Sequence, residues 1–198
     1  MKIAFSPASP YVRKCTACAI ARGIDSQVER WKVGTTDPAL LEFNPLSKVP
    51  TFITGDGMVL YDSPVICEYL DSIGDAPKLF PHAGPARWTA LRQMALGDGI
   101  LDATQPRRRE LTLPLDDGRK AYIATQQAKV TNSLAVLEKE AGTLGALTTI
   151  GEITIGCALG YLDFRYANEP WRPGHPGLAA WYERVVKLPP LAQTMPVG

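Results

Sequence analysis

Apolar and polar positions follow two rhythms along the chain, short runs first and helical spacing later. Lys2-Ile3-Ala4-Phe5-Ser6 reads as a buried strand, and Pro7-Ala8 as the turn after it. Ser9-Pro10 then predicts a helix that runs to about Arg22, where Gly23 ends it. A second strand is expected near Gln27 to Lys32, and a short helix near Pro38 to Phe43. Val49 to Ile53 forms an apolar strand that opens on a Val-Pro bond, and Met58 to Tyr61 forms a shorter one. Ser63-Pro64 opens a helix to about Ile73, with Pro64 at the first helical position, where its missing N–H costs nothing. The resulting order, β-α-β-α-β-β-α, predicts a small α/β unit.

From Asp75 to Pro85 the chain is rich in helix breakers and reads as a linker. Beyond it, four segments have helical spacing: Arg87 to about Leu111, Gly118 to about Glu140, Glu152 to about Ala167, and Gly177 to about Lys187. Thr149-Ile150-Gly151-Glu152 has the spacing of a capping box, so the apolar run Ile153 to Leu162 is expected to be the central buried helix. The expected organisation is an α/β domain over residues 1–76, a linker over 77–84 and an all-α helical bundle over 85–198.

Composition narrows the function classes. A chain of 198 residues can bury a substantial core, and a net charge of +1 leaves no general basic face for nucleic acid. No apolar run approaches a membrane span, and Met1-Lys2 leads straight into a strand, so a cytoplasmic protein is expected. Cys15 and Cys18 have C-x-x-C spacing but fall inside the first helix, away from its N-terminus, where a thiolate would be stabilised. No second Cys or His pair accompanies them, so no metal site is expected; Cys67 and Cys157 read as core. His82 and His175 read as surface loop residues.

Candidate chemistry lies in two runs, Asn44-Pro45-Leu46-Ser47-Lys48-Val49-Pro50-Thr51-Phe52 and Leu60-Tyr61-Asp62-Ser63-Pro64-Val65-Ile66. If the Val49-Pro50 bond is cis, it turns the N–H and C=O of Val49 toward a strand-like ligand. Free N–H groups at the helix that opens at Ser63 attract a carboxylate, the Ser63 hydroxyl adds a donor, and Asp62 meets an ammonium group. Together the two runs describe a holder for a small anionic peptide. Ser9 caps the helix at a strand-to-helix junction, where its hydroxyl can bond the helix or point at a ligand sulfur.

Ser9-Pro10-Tyr11-Val12 looks like the redox corner of a glutaredoxin with both cysteines replaced. With the two later runs added, nearly the whole chain resembles a bacterial cytosolic glutathione transferase. The resemblance implies a thioredoxin-like N-terminal domain that holds glutathione as co-substrate, an all-helical domain that helps hold a hydrophobic electrophilic small molecule, and a homodimer. It implies Ser9 as the residue facing the thiol, Val49 as the backbone clamp, Asp62 and Ser63 as contacts to the γ-glutamyl end, and Lys48 as a contact to the glycyl carboxylate. The family usually shows an aspartate where this chain has Glu152. Three functions stay open: conjugation of the glutathione thiolate to an electrophile, glutathione-dependent thiol reduction, and a non-catalytic binding role. Two further features are open as well. One of Arg107, Arg108 and Arg109 either ends a solvated helix or lines the cleft for an acidic second substrate, and Phe5, Tyr11 and Trp88 either wall an apolar pocket or belong to the core.

Overall fold

The computed structural model describes residues 1–34 and 36–198. Four short strands form one mixed sheet, β1 (Lys2–Phe5), β2 (Glu29–Lys32), β3 (Phe52–Ile53) and β4 (Val59–Leu60), in the order β2-β1-β3-β4. β1 and β2 are parallel, with Lys2 opposite Glu29, while β3 is antiparallel to both β1 and β4. The parallel pair needs a crossover, which α1 (Pro10–Ala21) supplies. Gly23 ends that crossover at φ 68°, a left-handed position that costs glycine little. α2 (Pro38–Leu41) is capped by Asp37, whose carboxylate accepts from the Ala39 N–H at 2.9 Å. α3 (Ser63–Ser72) completes the N-terminal unit.

One strand is shorter than its apolar pattern suggests. β3 begins at Phe52, leaving Val49 to Thr51 in a loop. Pro50 has no N–H to give a ladder, and the buried Asn44 amide donates to the Lys48 carbonyl at 3.2 Å and to the Thr51 hydroxyl at 2.9 Å. These local bonds take the place of strand pairing, although the Thr51 carbonyl still accepts from the Ala4 N–H at 2.7 Å.

The rest is helical: α4 (Gly84–Glu110), α5 (Asp117–Glu140), α6 (Ile150–Arg165), α7 (Pro176–Val185) and α8 (Pro189–Ala192). α8 lies beyond the last expected helix because its prolines occupy the first turn, where they are tolerated. Every residue of α6 from Ile150 to Leu162 is buried, so this helix is central, as its apolar run predicts. α4 lies close against it. A Cβ at Gly151 would fall 2.6 Å from the Gln93 Cβ, and one at Gly97 would fall 2.8 Å from the Thr154 Cγ2.

The capping box forms. Thr149 Oγ1 accepts from the Glu152 N–H at 3.3 Å, and Glu152 Oε2 accepts from the Thr149 N–H at 3.2 Å. The glutamate also takes the N–H groups of Gly145 at 2.7 Å and Thr148 at 2.6 Å. Its length lets one buried carboxylate gather the whole turn. Glu152→Ala strips these donors of their acceptor and should lower stability by about 2 kcal/mol, read as a melting temperature about 4–8 °C lower; an unchanged melting temperature would contradict this role.

The two halves meet along α1. Lys14, fully buried, places its ammonium 2.7 Å from both carboxylate oxygens of Asp98 on α4. Arg13 donates to the Leu191 carbonyl at 3.1 Å. Near the end of α3, Asp71 accepts from the Leu79 and Phe80 N–H groups at 2.8 and 3.1 Å and sits 3.2 Å from the Arg22 guanidinium. These contacts fix the start of α1 beside α4 and α6. Among the described residues, no helix is long and apolar enough to cross a membrane.

Candidate functional site

The strand-to-helix turn before α1, the loop from Asn44 to Pro50 and the start of α3 form one wall of a cleft, and α4 and α6 form the other. The cleft has a volume of about 780 Å³. All five residues singled out from sequence, Ser9, Lys48, Val49, Asp62 and Ser63, line it.

Each comes with a local cause. Ser9 is the N-cap of α1, with Pro10 at the first helical position; its Oγ accepts from the Val12 N–H at 3.3 Å. An oxygen that accepts this way still carries its own O–H, so the hydroxyl can donate to a second group. Ser63 is 2 % exposed and begins α3. Asp62 is the N-cap there but makes no side-chain cap bond, so its carboxylate does not take up the first N–H groups of the helix. A helix N-terminus left in this state favours an anion. Val49 lines the cleft immediately before a cis bond to Pro50, and Tyr61-Asp62 is a second cis bond, one no sequence signal announces. Lys48 stands exposed on the same wall.

Asn44 is a residue whose role the sequence reading did not assign. Besides the two bonds above, its Oδ1 accepts from the Leu46 N–H at 2.9 Å. One buried amide therefore holds the loop that presents Lys48 and Val49. An asparagine that opens a Pro-containing loop is the signal for such a side-chain turn.

On the opposite wall stand Asp102, Gln105, Arg108, Tyr161 and Arg165. Tyr11 reaches across from α1 and donates to Asp102 Oδ1 at 2.5 Å. Burial, reinforced by the Asp102 carboxylate, pushes the Tyr11 hydroxyl far above its usual range, so it stays protonated with its hydrogen engaged. Tyr161 donates to Gln105 Oε1 at 3.1 Å.

Two alternatives that the sequence leaves open are decided by position. The arginine run divides by helical phase: Arg107 is buried and donates to both oxygens of Glu169 at 2.7–2.8 Å, Arg108 lines the cleft, and Arg109 is exposed away from it. Phe5 and Trp88 do not line the cleft; Trp88 is 68 % exposed, and Phe5 lies beneath the Arg30 guanidinium. The aromatic surface comes from Tyr11, Tyr61 and Tyr161. His175 lies in the loop just before α7, half-buried, with its Nδ1 2.6 Å from the Trp171 carbonyl oxygen.

The four cysteines are free and buried. Burial pushes the Cys15 thiol up, contact with Cys67 followed by burial does the same to Cys18, and burial raises Cys157 to about 11. All three are neutral thiols at pH 7 and lie outside the cleft. What the cleft offers is therefore hydroxyl and backbone donors with flanking cations, a chemistry suited to an anionic ligand and to the stabilisation of a thiolate.

Comparison with known proteins agrees with this geometry. Residues 8–73 match the family model for the glutathione S-transferase N-terminal domain, and residues 109–184 match that for the C-terminal domain. An uncharacterised glutathione S-transferase-like protein of Escherichia coli (strain K12), YibF, is 34% identical over 200 residues that cover 99% of this chain and 98% of that protein. A glutathione transferase family member from Pseudomonas fluorescens Pf-5, solved with bound glutathione, superimposes with a TM-score of 0.90 at 39% identity over 100% of this chain and 99% of that one. The same protein with bound S-(propanoic acid)-glutathione gives a TM-score of 0.90 at 38% identity, over the full length of both chains. The chain belongs to the glutathione transferase family.

Proposed function

We propose that the protein binds glutathione in this cleft and transfers its thiol to an electrophilic small molecule, with Ser9 stabilising the thiolate. The observation that carries the reading is the position of the Ser9 hydroxyl, at the start of α1 and in the same cleft as Val49 and the uncapped start of α3. A tripeptide laid along that wall would present its γ-glutamyl carboxylate to Ser63 and the α3 N-terminus, its ammonium to Asp62, its backbone to Val49, and its glycyl carboxylate to Lys48. The sulfur would then reach Ser9. The solved relative holding glutathione, and the same relative holding an S-substituted glutathione, support a cleft with room for both halves of a conjugate.

The energetics are within reach of these groups. A thiol of pKa about 8.5 is roughly 3% ionised at pH 7, and lowering it by about two units needs roughly 2.7 kcal/mol of preferential thiolate stabilisation. One hydrogen bond to a charged group supplies about 1.5–3 kcal/mol, and a helix N-terminus about 0.3–1. No general base is required. Once ionised, having released its proton to solvent, the sulfur forms the C–S bond, and either a leaving group departs with its electron pair or an activated double bond takes the pair and gains a proton from water.

The thiol reductase alternative needs an accessible nucleophilic cysteine in the cleft, and every cysteine is buried elsewhere. A titration tests the leading reading. Glutathione should bind with a dissociation constant below about 1 mM, and the protein should conjugate it to an activated aryl halide; no binding at millimolar glutathione would overturn the assignment. On the same reading the enzyme works as a homodimer, with light scattering as the check.

A further inference from the structure

Arg108 and Arg165 face the cleft from α4 and α6, and neither has a carboxylate within ion-pair distance among the described residues. Their neighbours in the chain behave differently. Arg107 is paired with Glu169, and Asp163, two residues before Arg165, is taken by Arg172 at 2.5 and 2.9 Å. The guanidinium of Arg165 lies over the Phe164 ring at 3.9 Å, with the Gly198 backbone beside it, and its Nε is buried without a hydrogen-bond partner. A cation held this way has already lost part of its hydration and retains donors to give.

Tyr161 shares this wall with them. Burial raises its hydroxyl, and the pull of Arg108 and Arg165 works against that rise, so both cations act at one place on this wall. Among the described residues, the only carboxylates lining the cleft are Asp62, on the far wall, and Asp102, which already accepts the Tyr11 hydroxyl. The wall opposite Ser9 thus carries two cations against one engaged anion. That balance suits a single negative charge and not a dianion.

We propose that the second substrate is a small electrophile bearing one carboxylate, which Arg108 and Arg165 hold across the cleft from Ser9. The proposal rests on the glutathione transferase reading and specifies its substrate class. It also resolves a difficulty in that chemistry. A carboxylate brought near a thiolate raises the thiol pKa and repels the attacking sulfur, and cations placed at the carboxylate offset both effects. A planar guanidinium matches a carboxylate through two parallel hydrogen bonds, which fixes the orientation of the reacting carbon as well as its charge.

Calorimetric titration of the wild type with three ligands tests it: glutathione, S-propylglutathione, and S-(2-carboxyethyl)glutathione, which differs from the propyl compound by ending in a carboxylate. The carboxyethyl ligand should bind at least about ten-fold tighter than the propyl ligand, with the preference shrinking as salt is added. Arg108→Gln combined with Arg165→Gln should erase the preference, and the double lysine variant should keep part of it. Equal affinity for the two S-substituted ligands in the wild type, or a preference that survives the glutamine variant, would overturn the proposal. Failure of glutathione itself to bind would instead overturn the reading beneath it.

Discussion

Ser9→Ala should lower turnover with glutathione by about 10- to 100-fold and change glutathione affinity by less than about three-fold. The asymmetry follows from what the hydroxyl touches. Val49, Asp62, Ser63 and Lys48, spread along one wall, are assigned to the peptide, whereas Ser9 is assigned to the sulfur alone. Its contribution appears when the thiol is charged, so its loss falls on the reactive state. The pH profile carries the same signature. If the thiol pKa is lowered as proposed, the wild-type rate should level off at a lower pH than free glutathione would allow. In the variant that rise should move up toward the ordinary thiol range. Tyr11→Phe is the informative control, because the Tyr11 hydrogen is given to Asp102 at 2.5 Å and is not free for the sulfur. A larger loss of turnover in the tyrosine variant than in the serine variant would transfer the role to Tyr11.

The largest stability effect is expected at the junction of the two halves. Asp98→Asn leaves the Lys14 ammonium, 0% exposed, without its charge partner, and removing one member of a buried pair costs about 3–5 kcal/mol. The melting temperature should fall by about 6–20 °C. Replacing both partners by Lys14→Met and Asp98→Leu should recover a large part of the loss, because no charge is then left buried. Thermal unfolding of the three variants decides it. A change of less than about 2 °C in Asp98→Asn would show that the ion pair contributes little. The pair also matters to the site. Asp98 lies one helical turn before Asp102, and Lys14 lies one turn after Tyr11, so the contact that joins α1 to α4 also sets the Tyr11–Asp102 bond.

Much of this was readable along the chain, and the reasons are local. Ser9 and Thr149 to Glu152 mark helix starts through bonds that reach only three residues, and Pro64 marks one by its fixed backbone angle, so their chemistry is written in adjacent positions. The period-3.6 apolar pattern placed the helical half for the same reason. The β3 start was misread because its competitor, Asn44, acts from outside the apolar run. The fates of Arg107 and Arg108 depend on a 100° step around α4 and on Glu169, 62 positions away from Arg107. Tyr11 finds Asp102 91 positions along the chain. Neither pairing leaves a mark in local spacing, which is why the wall that carries Ser9, Val49 and Ser63 could be gathered from the sequence and the opposite wall could not.

The most direct test of the central claim is a pH titration of protein-bound glutathione followed by the ultraviolet absorbance of its thiolate. Half-ionisation about two units below the free value of about 8.5 in the wild type, returning toward that value in Ser9→Ala, is the predicted result. A bound thiol that ionises near 8.5 in both proteins would contradict it.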